Sequence, residues 1–591
     1  MKKMDSIKKM LNEIEKNEKL NSESKILSKI ISLCKQFKPE SIPSNLRAEV
    51  LAFDLIENYS GRGLDWGNYF GPKSIGENKK GELIAIPPIS SITPEVIKYW
   101  KQRAKNSKHP VMKTRYANLV WDFSQKILGE SAGIECAKTI IDQNIILVDQ
   151  EIFQRKFGVI KLKRALDVAL SIKDDERIAK VLQKIIDFED KIASDEKLGL
   201  WGFSFDYLIE NKKKLLTDEQ TDKIMGDLED RLERVSGSKD SQKADPNATE
   251  SAAMRLISYY RKNGKHDDVK RVLNTYKNAC IEFSKKASPL ISLSWLQKVH
   301  SLLLENGIKE EASEVSKYIR DAGEKSLGEM KTISTKYEMP KEKIDAYLDE
   351  LTSGTLNDAL VKIAYNLIPR KEDVKKQLEN LARETPFISM LPKSIADSTG
   401  RTVATIGSID NDFEGRLIDQ VSENMRFDSR FLNMALDRLK ENKDIDETKL
   451  LDYLSKSPLF EPSRCEIILK GLSAYFHNDH IAAITILIPE IEAALRKLLH
   501  LSGGSLYRPT RNGGLLERNL DEILRDEIVK ESLGEDIILY LSTFLTDQRG
   551  WNIRNQVCHG LLPAKMYGIQ VSNQIIHTLL VLALVKEKTE E

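Results

Sequence analysis

The chain has 591 residues, 41% hydrophobic and 31% charged, with a formal net charge at pH 7 of only +1. So long a chain exceeds what one core organises well, so about three domains are expected. The balanced charge excludes a histone-like or membrane-surface protein held by bulk electrostatics, so any nucleic acid must be gripped locally.

The opening "MKKMDSIKKMLNEIEKNEKL" has the positive start of a signal peptide but no apolar core behind it, and reads as a charged amphipathic helix. Five cysteines, at 34, 136, 280, 465 and 558, lie far apart with no C-x-x-C pair. They are expected to be buried free thiols in a reducing compartment. The longest late apolar run, Ile575 to Val585, is shorter than the roughly 20 residues that cross a bilayer. A soluble, cytoplasmic protein without a membrane segment is the expectation.

The predicted fold class is mainly α. Residues 1–160 read as a mostly helical domain with a small strand and loop insert, "YSGRGLDWGNYFGPKS" followed by the strand-like "ELIAIPP". The insert's glycines could form an anion nest beside Arg62, but a structural turn is expected. Thr93 then Pro94 have the order of an N-cap and a first helical position. Residues 161–385 read as solenoid-like helical hairpins, in which Gly264 and Gly307 each separate two amphipathic stretches. Residues 386–462 read as a connector, with a small β-hairpin around "SIADSTGRTVATIGSI" followed by helices. Residues 463–591 read as a helical bundle of five or six short helices. Ser463 and Glu466 have capping-box spacing at its start, and Asn478 or Asp479 can cap the next helix, which is expected to kink near Pro489. "LDEILRDEIVKESL" reads as one helix.

Within that bundle "RNQVCHG", residues 554–560, clusters an arginine, an asparagine and a histidine. If residues 553–561 are helical, Ile553, Val557 and Leu561 form the apolar stripe. Asn555 and His559 then share another face, and Arg554 must reach around or act on a second surface. Singly, these residues could be a surface cation, a polar surface residue and a histidine at a helix C-terminus.

R-N-x-x-x-H-G near the C-terminus, preceded by "GLSAYFHNDHIAAITILIPEIEAALRKLL", resembles a family of unknown function defined by that motif. Its R-x4-H spacing is the signature of the wider HEPN superfamily (higher eukaryotes and prokaryotes nucleotide-binding domains). The resemblance is best over 464–585, and "YWKQRAKNSKHPVMKTRYANLVWDF" resembles the N-terminal part of such proteins less specifically. It implies a HEPN-like bundle and a metal-independent endoribonuclease without cofactor, in which two copies pair so that both motifs line one cleft. An antiviral or stress effector whose helical middle binds a protein partner or trigger is the biological role it implies.

Such chemistry suits the residue types. A histidine can take the proton from a ribose 2′-hydroxyl or deliver one to the leaving oxygen. Arg554 offers forked donors to a phosphorane, and Asn555 can orient the histidine or the phosphate by hydrogen bonds. Glu492 and Arg496 are an i,i+4 pair, either a plain surface ion pair or a buried pair that orients the motif.

Arg508, Arg511, Arg518, Arg525 and Arg549 surround the motif, yet residues 464–591 carry 14 Lys and Arg against 16 Asp and Glu. A positioned RNA loop or end, contacted by Arg508, Arg511 and Arg549 and stacked on Tyr507 or Trp551, fits better than long nucleic acid. The glycine pairs 503/504 and 513/514 lack the G-K-[ST] of a P-loop and read as a flexible loop. His477, Asp479 and His480 do not complete a metal site, so no metal is expected. His577 reads as a satisfied core histidine. Two other classes compete with the nuclease: a non-catalytic dimeric scaffold or RNA- or nucleotide-binding protein, and an enzyme that modifies nucleotides or tRNA ends.

Overall fold

The computed structural model describes residues 9, 11–16, 22–57, 66–78, 82–237, 244–331, 338–510 and 513–586. Arg62 and Arg511 lie outside the described residues. The chain is mainly helical, with four two-stranded hairpins among the described residues, and forms two compact units, Met1–Tyr318 and Ile319–Glu591.

The first unit opens with α1 (Glu23–Cys34) and α2 (Ser44–Phe53), then the antiparallel pairs β1 (Leu55–Glu57) with β2 (Phe70–Pro72) and β3 (Ser74–Glu77) with β4 (Leu83–Ile86). The strand-like "ELIAIPP" supplies β4. Helix α3 (Pro94–Asn106) begins where Thr93 accepts from the Val96 N–H, with Pro94 needing no partner for the amide proton it lacks. It packs on α4 (Pro110–Leu128), and Trp100, Tyr116 and Phe123 close the core between the helices and the strands.

Beneath this apolar core lies a buried charge network. Arg115 has no exposed side-chain surface; it donates to the Ala52 carbonyl (2.6 Å) and pairs with Glu23 (2.9 Å) and Glu57 (3.3 Å). Lys161 completes the square, 2.6 Å from Glu57 and 3.2 Å from Glu23.

There follow α5 (Ile134–Asp149), α6 (Arg155–Ser171), α7 (Asp175–Ile192), α8 (Asp218–Val235), α9 (Pro246–Lys262), α10 (His266–Ser284), α11 (Pro289–Glu305) and α12 (Lys309–Glu329), within which the first unit ends at Tyr318. From α4 to α7 and from α8 to α11 each helix packs mainly on its neighbours in sequence, the pattern of a helical repeat. Gly264 (φ 69°) and Gly307 (φ 75°) make the left-handed breaks between α9 and α10 and between α11 and α12.

The second unit contains α13 (Lys341–Thr352), α14 (Leu356–Asn366), α15 (Lys371–Glu384), α16 (Pro386–Met390), the hairpin β5 (Lys393–Ala396) with β6 (Thr402–Ile406), and the long α17 (Phe413–Lys443). Then come α18 (Glu447–Leu454), α19 (Cys465–Phe476), α20 (His480–Leu501), the hairpin β7 (Tyr507–Pro509) with β8 (Leu515–Glu517), α21 (Leu520–Leu524), α22 (Glu527–Leu533), α23 (Glu535–Leu545), α24 (Ile553–Cys558) and α25 (Ile569–Ala583). One apolar core runs from Leu348 to Ala583, and α25 packs against α14, α17 and α20. The boundaries expected at 385/386 and 462/463 thus fall inside a single core.

Local departures from the sequence reading have simple causes. Ser463 does not cap: Pro462 opens a 3-10 turn over Pro462–Arg464, and α19 starts at Cys465 without a side-chain cap. Arg464 instead reaches Glu490, at 2.6 and 2.7 Å. Asp479 caps α20, which continues through Pro489. "LDEILRDEIVKESL" forms two helices, because Asp526 turns its carboxylate onto the Ile528 N–H and starts a new one. The five cysteines are free, but only Cys280 is buried, and Cys558 is exposed. No helix among the described residues is long and apolar enough to cross a membrane.

Candidate active site

The loop before α24 folds tightly against α23. Trp551 N–H bonds to the Thr543 carbonyl at 2.8 Å, and a Cβ at position 550 would lie 2.2 Å from that same oxygen, so only glycine fits there. Asn552 then adopts φ 49°, a left-handed geometry that asparagine tolerates better than most residues. Its side-chain oxygen accepts from Asn555 Nδ2 at 2.7 Å, and Asn555 also reaches the Thr546 carbonyl at 3.3 Å.

From this platform Arg554 is pinned in place. Its Nε donates to Glu492 at 2.9 Å and its Nη1 to Asn555 Oδ1 at 3.0 Å. Glu492, on α20, simultaneously accepts from Arg496 Nη2 at 2.8 Å. Arg496 in turn lies 3.4 Å from Glu517 on β8. The side chains of Glu492, Arg554 and Arg496 retain 14%, 20% and 24% exposure, so the group is recessed but open on one side. The pair is therefore a three-residue bridge between α20 and α24.

Helix α24 stops at Cys558, and His559 is its C-cap residue (φ −99°, ψ 4°), one turn short of the helix expected through residue 561. His559 is exposed, and its imidazole hydrogen-bonds no other described group. Arg554 and Asn555 touch directly within one chain, which the angular spacing of a straight helix did not lead one to expect.

The surrounding cations are mostly spoken for. Arg508 pairs with Glu522 (3.0 Å), Arg518 with Asp526 (2.6 Å) and Arg525 with Asp521 (3.0 Å). Arg549 meets Asp547 at 2.8 Å, with Glu414 and Asp412 at 3.8 and 4.0 Å. Hydrogen bonding to Asp547 raises the Arg549 pKa further above its ordinary value. Trp551 is half-buried: its indole N–H reaches the Ser422 carbonyl (3.3 Å), and its ring meets Phe544 edge-on at 5.6 Å. It packs against the core of this unit. Tyr507, by contrast, is 53% exposed.

Asn552, Gln556 and Glu517 were missed by the sequence reading. Gln556 Nε2 bonds the Trp551 carbonyl at 3.1 Å, steadying the start of α24. Asn552 carried a signal, an Asn two residues after a Gly at a helix start; Glu517 is found only from the hairpin register. His577 is buried among Tyr540 (2.7 Å from Nδ1) and the Ile363 carbonyl (3.2 Å from Nε2), and burial lowers its pKa to about 4. His477 bonds the Ser473 carbonyl and His480 the Ser572 hydroxyl.

No protein family and no curated protein matches the chain. A solved structure described as a circular tandem repeat protein with novel repeat topology and enhanced subunit contact surfaces aligns with 79% of this chain and 89% of its own at 13% identity, with a TM-score of 0.15. A likeness at that score carries no argument about function.

Proposed function

We propose that the second unit carries a HEPN-like, metal-independent endoribonuclease site in which Arg554 binds and stabilises the phosphate, His559 moves the proton and Asn555 orients Arg554. The observation that carries this reading is a guanidinium on α24 fixed by Glu492 and Asn555 and, at the C-terminal end of the same helix, an exposed imidazole that hydrogen-bonds no other described group. Fixing the donor beforehand is what makes it effective against charge that grows in the transition state. In the reaction the 2′-oxygen bonds to phosphorus and the bond to the 5′-oxygen breaks. One proton leaves the 2′-hydroxyl and one is delivered to the 5′-oxygen, giving a 2′,3′-cyclic phosphate and a 5′-hydroxyl.

One His559 cannot be base and acid in the same step, so we assign the second role to another copy of the chain. Exposed Leu561, Met566 and Ile569 lie just beyond the motif and supply apolar surface for such a pairing. Sedimentation of the full-length protein at micromolar concentration should show a dimer.

The test is cleavage of a synthetic RNA in EDTA. Fragments should carry cyclic phosphate and 5′-hydroxyl ends, and a single 2′-deoxy residue at the cut should block the reaction. Fragments with 3′-hydroxyl and 5′-phosphate ends, or cleavage that requires Mg²⁺, would contradict the proposal. A non-catalytic dimeric scaffold is the second reading, favoured by the carboxylates that neutralise Arg508 and Arg549.

A further inference from the structure

The β7–β8 hairpin has a face that the cleavage chemistry does not use. Its register sets Tyr507 opposite Glu517, Arg508 opposite Leu516 and Pro509 opposite Leu515. Opposed residues, and those two positions along, share one face of an antiparallel ribbon. Tyr507, Pro509, Leu515 and Glu517 therefore stand together, and Arg508, paired to Glu522, belongs to the other side.

Glu517 joins this face to the site. Its carboxylate is 3.4 Å from Arg496, Arg496 shares Glu492 with Arg554, and three ion pairs thus lead from the proposed phosphate position to Tyr507's cross-strand neighbour. Along that path the surface changes character. Fixed cations lie at one end, and at the other an aromatic ring, a proline and a leucine face solvent, Tyr507 53% and Leu515 70% exposed. Among the described residues of the ribbon the charged one on this face, Glu517, is an anion, which repels phosphate and leaves the apolar groups to a neutral, flat partner.

We propose that this face is the subsite for an unpaired nucleobase adjoining the phosphate held at Arg554, with Tyr507 as its stacking platform; the inference rests on the cleavage reading above. A nucleotide has the same polarity as the surface: its phosphate meets Arg554 and Arg496, and its base turns to Tyr507 and Leu515. A base stacked inside a duplex cannot offer its π-face, so the substrate is single-stranded at this position.

The test uses the full-length chain, a short single-stranded RNA and the same RNA annealed to its complement. Tyr507→Ala should raise KM for the single strand about tenfold, the scale of one lost base–aromatic stack, while kcat stays within about twofold because no transition-state contact is removed. Tyr507→Phe should restore KM, Leu515→Ser should raise it less than Tyr507→Ala, and the duplex should be cut poorly by every form. Both positions are exposed, so circular dichroism should be unchanged. An unaltered KM in Tyr507→Ala with cleavage intact overturns the subsite and leaves the nuclease reading standing; wild-type protein that neither binds nor cuts RNA overturns both. A Tyr507→Ala protein that sediments as a smaller species than wild type assigns the face to a protein contact and overturns the base-binding role.

Discussion

Glu492 receives Arg554 Nε at 2.9 Å on one carboxylate oxygen and Arg496 Nη2 at 2.8 Å on the other, tying α20 to a helix 62 residues further along the chain. The carboxylate pairs with both guanidiniums and sets the angle of Arg554, the one proposed to face substrate. Glu492→Gln keeps the shape but loses the charge, so Arg554 should wander. Cleavage is expected to fall about 10- to 100-fold, as for a misplaced catalytic group. Because the pair is partly exposed, the unfolding free energy should change by only about 1 kcal/mol. Single-turnover rates beside a urea titration separate the two effects; an unchanged rate would show that Glu492 does not position Arg554.

His577 should make the second unit acid-sensitive. Its Nε2 faces the Ile363 carbonyl and so carries the proton, leaving Nδ1 to accept from Tyr540. Burial lowers its pKa from 6.5 to about 4, so the folded state binds fewer protons than the unfolded state in that window. The stabilisation is therefore whole above pH 6.5 and lost as pH falls toward 4, by about 3 kcal/mol for a shift of this size. Denaturation midpoints measured from pH 7 to 4 should drop more steeply in the wild type than in His577→Gln. Parallel profiles would contradict this.

Arg115 should be the costliest charged residue to remove from the first unit. Burial raises the Glu23 carboxyl, but Arg115 and Lys161 outweigh it and hold its pKa at about 2. Its contribution is present above the ordinary value of 4.5 and lost as pH falls through about 2. Arg115→Met leaves Glu23 and Glu57 against Lys161 alone, and breaking such a buried set typically costs about 3–5 kcal/mol. The variant should also begin to lose stability at a higher pH on acidification. Chemical denaturation monitored by tryptophan fluorescence measures both, and a loss below about 1 kcal/mol, the range of surface pairs, would refute the role.

What could be read from the chain was whatever local spacing controls. Apolar periodicity marked the helices, Thr93–Pro94 marked the start of α3, and Gly264 and Gly307 marked two breaks, because each acts within one turn of backbone. Competing local chemistry was harder: Asp526 inside an amphipathic run and Pro462 ahead of Ser463 both displaced helix starts. Tertiary partners were not legible at all. Arg508 looks like a free cation in one dimension, and only folding brings Glu522 to it. The single core from Leu348 to Ala583 was hidden for the same reason, since apolar faces do not announce which faces they meet. Around the motif the spacing singled out Arg554, Asn555 and His559 as candidates, while Asn552 and Glu517 join them through an unusual φ and a strand register that spacing does not encode.

The central claim is that His559 moves a proton in metal-free RNA cleavage, and the single-turnover rate in EDTA of wild type against His559→Ala tests it most directly. His559 lies exposed at the end of α24, off the buried Ile553 side, so the variant should keep its fold and association. Its rate should fall by about 10² to 10⁴-fold, the usual range for losing a general acid or base. A folded His559→Ala protein that cuts the same RNA at the wild-type rate would contradict the account.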